Sequence, residues 1–343
     1  MADTIEESPV SYEELMDLED EFEQAETEII RQQYALYKPL FAKRAELVSQ
    51  IKNFWPLVFE AAPMDIDEYI QPTDSQVILS SLRGLTVTRF ELDADPVKGD
   101  PRSFAIRFEF DENEYFEDKV LEKKFWYRYG KDGFRGYVSE PVEIKWKDGK
   151  DLTDGLLNLA KAVYDEQKGK PRPAAAANGA DKKDKKKEKE PLTEKQKALK
   201  EKIDQTGMGG VSFFCWFGYV GEYVTAEESA EAMAEEAEER RKRKAGEAVP
   251  KKDEDEDMED ADDSDDDEDD DDDDDLDIFP TGDAVALAIA DDLYPGAIKY
   301  FIQAQEQDIL SEISEEFDDE ASLSDSNDEE EEKEAPKRKK QKA

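Results

Sequence analysis

The chain has 343 residues, of which 41% are charged, and its formal net charge is −45. Average proteins carry roughly 25% charged residues, so we expect one folded domain joined to long disordered segments. The sequence contains no histidine, which excludes the usual zinc ligands and every histidine-based acid–base mechanism. Its one cysteine, Cys215, excludes an intramolecular disulfide and favours a reducing compartment.

The charge and the hydropathy pattern also limit the partners. The first residues are acidic and lack an apolar core segment, so no signal peptide is expected. No run of about 18 apolar residues occurs, so no membrane span is expected. A chain this acidic repels nucleic acid and anionic lipid, and its partner should be strongly basic.

A long helix is predicted to begin near Ser11, because Ser11 and Glu14 have the spacing of a capping box. After them, apolar residues recur in steps of three and four, which places them in one narrow seam. The seam consists of Leu15, Leu18, Phe22, Ala25, Ile29 and Leu36, with Gln32 at one position. A seam this narrow cannot form one side of a globular core, so we expect it to bind a second copy of the chain. The alternative is a helix buried against its own chain.

Pro39 is expected to end or kink this helix, because proline lacks the amide hydrogen and clashes with the preceding turn. A second helical pattern runs from Leu40 through Ile51 to Trp55. The dimerisation segment is therefore predicted over residues 11–55, after a disordered start over 1–10.

The next part of the chain predicts an antiparallel sheet. After a short helix at Gln76–Leu82, four segments have the composition or the alternating pattern of strands. They are Thr86–Leu92, Arg102–Phe110, Val120–Tyr129 and Tyr137–Trp146. Short turns between them imply a meander with one buried face. Helical patterns on both sides of the sheet make the fold class α+β.

Helices and linkers alternate after the sheet. The aromatic patch Val211–Tyr219 is too apolar for solvent and is expected to return to the core. Glu227–Lys244 is helical by propensity but has hardly any apolar face, so we expect it to be solvated. Further helices are predicted at Lys150–Gln167, Leu192–Ile203, Asp283–Ala290 and Ala297–Gln303. The resulting organisation is a folded domain over 56–167, 191–225 and 279–305, a basic linker over 168–190, a charged disordered insertion over 226–278, and an acidic tail over 306–343.

No catalytic motif is present in the sequence. The glycines at 207–210 lack the spacing of a dinucleotide loop, and Gly149-Lys150 lacks the upstream glycine of a phosphate loop. The acidic runs lack the glycine and the spacing of a calcium loop. We therefore expect no catalytic residue, no bound metal and no cofactor.

Acidic residues are the candidate binding groups. In one interpretation the acidic runs only keep the chain soluble; in the other they compete with DNA for a basic protein through salt-sensitive contacts. Acidic blocks recur three times, which favours the second interpretation. The candidates in and after one hairpin of the sheet are Glu109, Asp111, Glu112, Glu114, Glu117, Asp118, Glu143, Asp148 and Asp151. Those in the run Asp253–Asp277 are Asp253, Glu254, Asp265, Asp266 and Asp270.

The basic segments also have two interpretations, as nuclear import signals or as counter-charge that folds back on the acidic blocks. We favour the last segment as the import signal, with Lys337, Arg338, Lys339 and Lys340. Three serines, Ser264, Ser322 and Ser326, each have an acidic residue three positions on, which predicts phosphorylation by an acidophilic kinase.

Five ordered segments resemble the nucleosome assembly protein family, most closely its SET (template-activating factor) branch. The segments are Phe41–Leu47 with Ile51–Trp55, Phe110–Leu121, Glu143–Thr153, Ser212–Phe217 and Asp291–Pro295. They follow the family's order and cover most of residues 12–305, so the match is specific.

The resemblance implies a homodimer through the long helix, with an "earmuff" α+β domain at each end. It also implies chaperoning of core histones in the nucleus, without catalysis, through the acidic underside of these domains and acidic tails. A second hypothesis, which the resemblance permits, is a regulator of a chromatin enzyme, such as a histone acetyltransferase partner or a phosphatase inhibitor. A third, a low-affinity cation buffer, is disfavoured because a buffer needs neither a dimer nor a sheet.

Overall fold

The computed structural model describes residues 12–168, 192–207, 211–244, 276–307 and 309–310. The predicted helix cap at Ser11, residues 253–275 of the run Asp253–Asp277, the three candidate phosphorylation sites and the candidate import signal lie outside these residues. No helix within the described ranges is long and apolar enough to cross a bilayer. The same ranges hold no cluster of three or more carboxylate or thiol side chains placed to bind a metal ion.

The first helix, α1, runs from Tyr12 to Val48 and contains Pro39. The expected end at Pro39 is therefore not realised, and the expected kink stays a prediction. Pro39 removes only the hydrogen bond to the carbonyl of Ala35. Both residues are exposed, so water can replace the lost donor. A turn containing Asn53, whose φ is 59°, leads into α2, Phe54–Glu60.

Four antiparallel strands form one sheet in the order β1-β2-β3-β4, as the sequence predicts. They are β1 Leu82–Thr88, β2 Phe104–Phe110, β3 Val120–Tyr129 and β4 Arg135–Ser139. The alternation in β2 is confirmed, with its phenylalanines and Ile106 buried and Arg107 exposed.

The fourth strand is shorter than the predicted segment Tyr137–Trp146. Pro141 has no amide hydrogen to donate to a ladder. The chain around it pairs instead with the aromatic segment, because Ser139 N–H donates to Val220 O at 2.7 Å and Val142 N–H to Phe217 O at 2.8 Å. Beyond this point only an isolated bridge between Phe116 and Trp146 continues the pairing.

Short helices surround the sheet. Before and within it lie α3 Met64–Asp67, α4 Pro72–Ser81 and α5 Phe90–Ala94. After it come α6 Leu156–Gln167, α7 Glu194–Thr206, a 3₁₀ helix at Phe213–Gly218, α8 Ala226–Lys244, α9 Gly282–Leu287, a π-helical segment at Ala288–Leu293, and α10 over 297–307. Residues 226–244 of the expected disordered insertion are thus helical, for reasons given below.

The aromatic segment lies in the core, as predicted, with every residue from Phe213 to Gly218 buried. The carboxylate of Asp74 fixes its start, accepting from Ser212 Oγ at 2.6 Å and from Phe213 N–H at 2.7 Å. Lys123, on the buried face of β3, donates to three backbone carbonyls, those of Glu140, Phe217 and Tyr219, at 2.8 to 3.1 Å. Burial lowers the pKa of Lys123 well below its ordinary value. A lysine therefore binds the sheet to the aromatic segment, which the sequence pattern does not indicate.

Candidate interaction surfaces

The predicted seam of α1 lies on the outside of the folded domain. Leu18, Phe22, Ile29 and Leu36 are 49%, 59%, 63% and 70% exposed. The apolar row also continues past Pro39, where the sequence predicts an end or a kink of the helix. We call the whole row the α1 stripe: Leu15, Leu18, Phe22, Ala25, Ile29, Leu36, Leu40, Leu47 and Ile51. Within the described residues nothing covers the stripe, so the alternative of a seam buried against its own chain does not hold.

The opposite face of α1 packs on its own domain, through polar contacts along most of the helix and through Phe41 and Val48 near its C-terminal end. Glu23 accepts from Arg102 at 2.7 Å, from Tyr129 Oη at 2.9 Å and from Arg135 at 3.0 Å. Burial alone would raise the pKa of Glu23, but the bonds from Tyr129 and Arg102 and the charge of Arg135 hold it below its ordinary value. Farther along, Arg31 donates to the backbone oxygens of Pro96 and Gly99.

Arg44 anchors the end of α1 to the helices at the C-terminal side of the domain. Its guanidinium is buried among the rings of Phe41, Trp55 and Tyr294, at 4.8, 5.7 and 4.3 Å from their centroids. It donates to the backbone oxygens of Tyr294 and Pro295. Burial lowers the pKa of Arg44. The direction in which α1 leaves the domain is therefore fixed by a buried cation.

The structure brings together most of the predicted acidic residues of the sheet. The loop 111–119 between β2 and β3 is held against 143–148 by the bridge noted above, which consists of two backbone bonds. Glu117 N–H donates to Lys145 O at 3.0 Å, and Lys147 N–H to Tyr115 O at 2.8 Å. We call the result the acidic loop surface: Glu109, Asp111, Glu112, Glu114, Glu117, Asp118, Glu143 and Asp148. Only Glu109 lies in a strand; the others are held by the loop and its pairing.

Half of this surface is neutralised within the chain. Four ion pairs join Arg107 to Glu109 and Arg83 to Asp111 at 3.1 Å each, Lys150 to Glu114 at 3.7 Å, and Lys145 to Asp118 at 3.9 Å. Among the residues that the structure describes, the remaining four make no ion pair and are exposed: Glu112, Glu117, Glu143 and Asp148. These four are the carboxylates open to an external cation.

Asp151 does not belong to this surface. Its half-buried carboxylate accepts from Thr153 N–H at 2.8 Å, Thr153 Oγ1 at 2.6 Å and Gly155 N–H at 3.0 Å. These bonds close the turn before α6 and explain why α6 starts at Leu156, later than the predicted Lys150. Asp151 is therefore a turn-forming residue, and its role in binding stays a prediction.

Helix α8 is bound to the domain almost entirely by polar contacts. Thr225 and Glu228 cap its start reciprocally. Ser229 Oγ accepts from Tyr129 N–H at 3.0 Å, and Ala232 is the only buried apolar side chain of the helix. Further ion pairs join Lys131 to Glu231 and Arg135 to Glu236 at 2.7 Å each, and Arg240 to Asp20 at 2.8 Å. Such long-range pairs leave no periodic signal in the sequence. The sequence therefore predicts a solvated helix, whereas the structure places this helix against the domain.

A cleft of about 290 Å³ separates α1 from α8. Its charged lining consists of Glu23, Glu28, Arg102, Glu236 and Arg240. Each of these pairs with another charged side chain of the described residues, at 2.7 to 3.4 Å. The cleft therefore offers no unbalanced charge for a small ionic ligand.

Comparison with known proteins gives the following matches. A family model described as nucleosome assembly protein (NAP) matches residues 48–304. A Schizosaccharomyces pombe protein named for nucleosome assembly is 36% identical over 169 residues, 46% of this chain and 66% of that protein. Protein SET of Drosophila melanogaster is 39% identical over 140 residues, 39% of this chain and 49% of that protein. The chain thus matches between about half and two thirds of the length of these relatives. The crystal structure of Vps75 is 20% identical, with a TM-score of 0.48, covering 85% of this chain and 96% of that one.

Proposed function

Because the chain belongs to the nucleosome assembly protein family, we propose that it is a non-enzymatic histone chaperone. It binds basic core histones through acidic surfaces, shields them from non-specific contacts with DNA, and supports nucleosome assembly. The observation that carries this proposal beyond family membership is the acidic loop surface, whose Glu112, Glu117, Glu143 and Asp148 project unpaired carboxylates from a fixed backbone.

A fixed surface and an acidic run contribute differently to such binding. The carboxylates of the loop are held by the Phe116–Trp146 bridge, so their arrangement can match a particular basic surface. The run Asp253–Asp277 adds many negative charges, which raise the rate of encounter and strengthen binding at low salt. We propose that the run collects histones and that the loop orients them. Phosphorylation at Ser264, within the run, would add about −1.5 to −2 charges and strengthen this effect.

The α1 stripe supports a homodimer as the working form. Six of its nine members lie in pairs at equal distances from the midpoint between Gln32 and Gln33: Ile29 with Leu36, Ala25 with Leu40, and Leu18 with Leu47. A two-fold axis at that midpoint, with the helices antiparallel, brings each residue of a pair onto the other in a second copy. The charges favour this orientation over a parallel one. The first half of α1 is rich in Glu and Asp, whereas the exposed Lys38 and Lys43 lie in the second half.

We also propose that the chain works in the nucleus, and a chromatin enzyme is a further candidate partner. A chaperone of chromatin works in the nucleus, and the segment Lys337–Lys340 is the import signal that we propose. Removing that segment should lower nuclear accumulation of a tagged chain. The family resemblance also permits this chain to assist a histone acetyltransferase, which stays a prediction.

Titration of purified core histones with the full-length chain tests the function. We expect the double variant Glu117→Lys, Glu143→Lys to bind histones more weakly and to deposit them on DNA less well. The control is Glu194→Lys, Glu201→Lys, which changes the net charge by the same amount at two exposed positions of α7, away from the acidic loop surface. Equal losses in both variants would show that the loop is not a site. Failure of the unaltered chain to bind histones at physiological salt would overturn the chaperone function itself.

A further inference from the structure

The last helix of the domain, α10, carries a second uncovered apolar face. Its inner face packs Ala297, Tyr300 and Ala304 into the core. On the outer face, Ile298 and Ile302 are 54% and 48% exposed, and their spacing of four residues places them one above the other. Nothing within the described residues covers them. Two large β-branched side chains in adjacent turns form one continuous apolar patch.

The position of α10 links this face to the α1 stripe. Phe301, between the inner and outer faces, stacks on Phe54 with the ring centroids 4.8 Å apart. Phe54 follows Ile51, the last member of the stripe, by three residues. The bonds from Arg44 to the backbone oxygens of Tyr294 and Pro295 fix the chain just before α10 to the same end of α1. The outer face of α10 therefore borders the C-terminal end of the stripe.

We propose that the outer face of α10 is part of the homodimer interface and that its occupant is the N-terminal end of α1 from a second copy. This inference rests on the antiparallel dimer proposed above. The two-fold axis between Gln32 and Gln33 places Leu15 and Met16 of the second copy beside Gln50 and Ser49, at the end of α1 that α10 flanks.

Met16 supplies an independent reason for this contact. It is 53% exposed, yet it lies about 100° around the helix from Leu15 and therefore off the stripe. A simple pair of α1 helices would leave Met16 in water. A second surface beside the helix pair, such as Ile298 and Ile302, buries it.

The other candidate occupants fit this face less well. Residues 311–343 of the same chain are strongly charged, with a run of glutamates and a basic end. Such a segment gains little by covering isoleucine side chains. A histone is basic, and Ile298 and Ile302 offer it no charge. A second copy of α1 supplies apolar residues at the required place.

The test compares two double variants of the full-length chain by sedimentation over a dilution series. Ile298→Ser with Ile302→Ser removes the apolar face, and Leu79→Ser with Val120→Ser removes two other exposed apolar side chains as the control. Circular dichroism establishes that each variant is folded. We expect the α10 variant to raise the dimer dissociation constant at least tenfold and the control to leave it unchanged. An unchanged constant for the α10 variant overturns the inference.

Disulfide crosslinking keeps the inference testable if the serine variant fails to fold. Met16→Cys combined with Ile302→Cys should give a covalent dimer on mild oxidation, whereas Met16→Cys combined with Val97→Cys should not. Cys215 is buried and does not compete for the oxidant. A dimeric protein without the 16–302 crosslink overturns the role of α10 and leaves the dimer in place. A monomeric wild-type chain overturns the dimer itself.

Discussion

The two faces of α1 are stabilised by different kinds of contact. The inward face places Glu23, Arg31 and Arg44 against the domain, where each of them makes hydrogen bonds within one chain. The outward face carries the α1 stripe, which has no partner among the described residues. A polar face can be satisfied by its own domain or by water. An exposed apolar stripe of this length gains free energy only from another apolar surface.

The two kinds of contact are also expected to contribute different amounts of free energy. Partly exposed ion pairs contribute about 0–1 kcal/mol each, whereas burying a Leu, Ile or Phe side chain contributes about 1.5–3 kcal/mol. The inward face therefore sets the direction of α1, and the outward face supplies the larger share of the association energy. Each of the following predictions tests one side of this comparison.

The largest effect should come from charging the stripe with Phe22→Asp and Ile29→Asp. Unpaired carboxylates buried in the helix pair would cost several kcal/mol per dimer. Light scattering should then give a monomer or an unfolded chain. The control Ala35→Asp with Ala42→Asp places the same charges on exposed positions of α1 off the stripe, and it should remain dimeric. A well-folded dimer of the stripe variant would contradict the role of this face.

The direction of the helices can be tested with a single cysteine. Gln32→Cys lies beside the proposed two-fold axis, so oxidation should convert most of the protein to a covalent dimer. Leu15→Cys should give almost none, because an antiparallel arrangement separates the two copies of residue 15 by about 50 Å. Efficient crosslinking at both positions would indicate parallel helices and would remove the geometric basis of the α10 contact.

The sequence predicts the features that depend on local periodicity. The seam residues, the alternation of β2 and the four-stranded order all follow from spacings of two, three or four residues. The burial of the aromatic segment follows from its composition alone. The clustering of acidic residues near the hairpin follows from the charge pattern, whereas their role in binding stays a prediction.

The features that the sequence does not predict depend on partners distant in the chain. Lys123 can lie in the core because three backbone carbonyls from two other segments accept hydrogen bonds from its side chain. Helix α8 is docked because Arg135, Lys131 and Asp20 meet its charges. Arg83, Arg107 and Lys150 likewise decide which carboxylates of the acidic loop surface are neutralised and which stay open, and this can be seen only in the structure.

On the inward face, Arg102→Ala should cost stability without dissociating the dimer. Its guanidinium bonds to Glu23 and to Asp100 at 2.7 Å each, donates to Tyr129 Oη at 2.8 Å, and lies 3.9 Å from the ring centroid of Tyr127. Removing it leaves two half-buried carboxylates without their main cation, at a cost of about 2–4 kcal/mol. Urea unfolding measures the loss, and Arg102→Lys should recover part of it. A monomeric but stable Arg102→Ala protein would contradict the separation of the two faces.

Salt should distinguish the polar contacts of α8 from the apolar contacts of the stripe. Raising the ionic strength from about 0.05 to about 0.5 M shortens the screening length severalfold. We expect faster amide hydrogen exchange across Ala226–Lys244, because ion pairs hold this helix. Exchange across the stripe should stay slow, because apolar contacts are not screened. Equal sensitivity in both segments would show that the stripe is not buried in an apolar interface.

The smallest effect concerns the pH dependence of the inward face, through Glu23→Gln. The bonds from Tyr129 and Arg102 lower the pKa of Glu23 in the folded state, so the carboxylate stabilises the fold when ionised in both states. That stability is fully present above the ordinary glutamate pKa of about 4.3 and is lost as the pH falls through the lowered value. The variant should therefore be less stable than the wild type near neutral pH, by an amount on the order of 1 kcal/mol. The difference should shrink below about pH 4. Urea unfolding at a series of pH values measures it, with Glu26→Gln at an exposed position of α1 as the control. A difference that stays constant from neutral to acid pH would mean that Glu23 acts through its shape, and that charge does not hold the inward face of α1 on the domain.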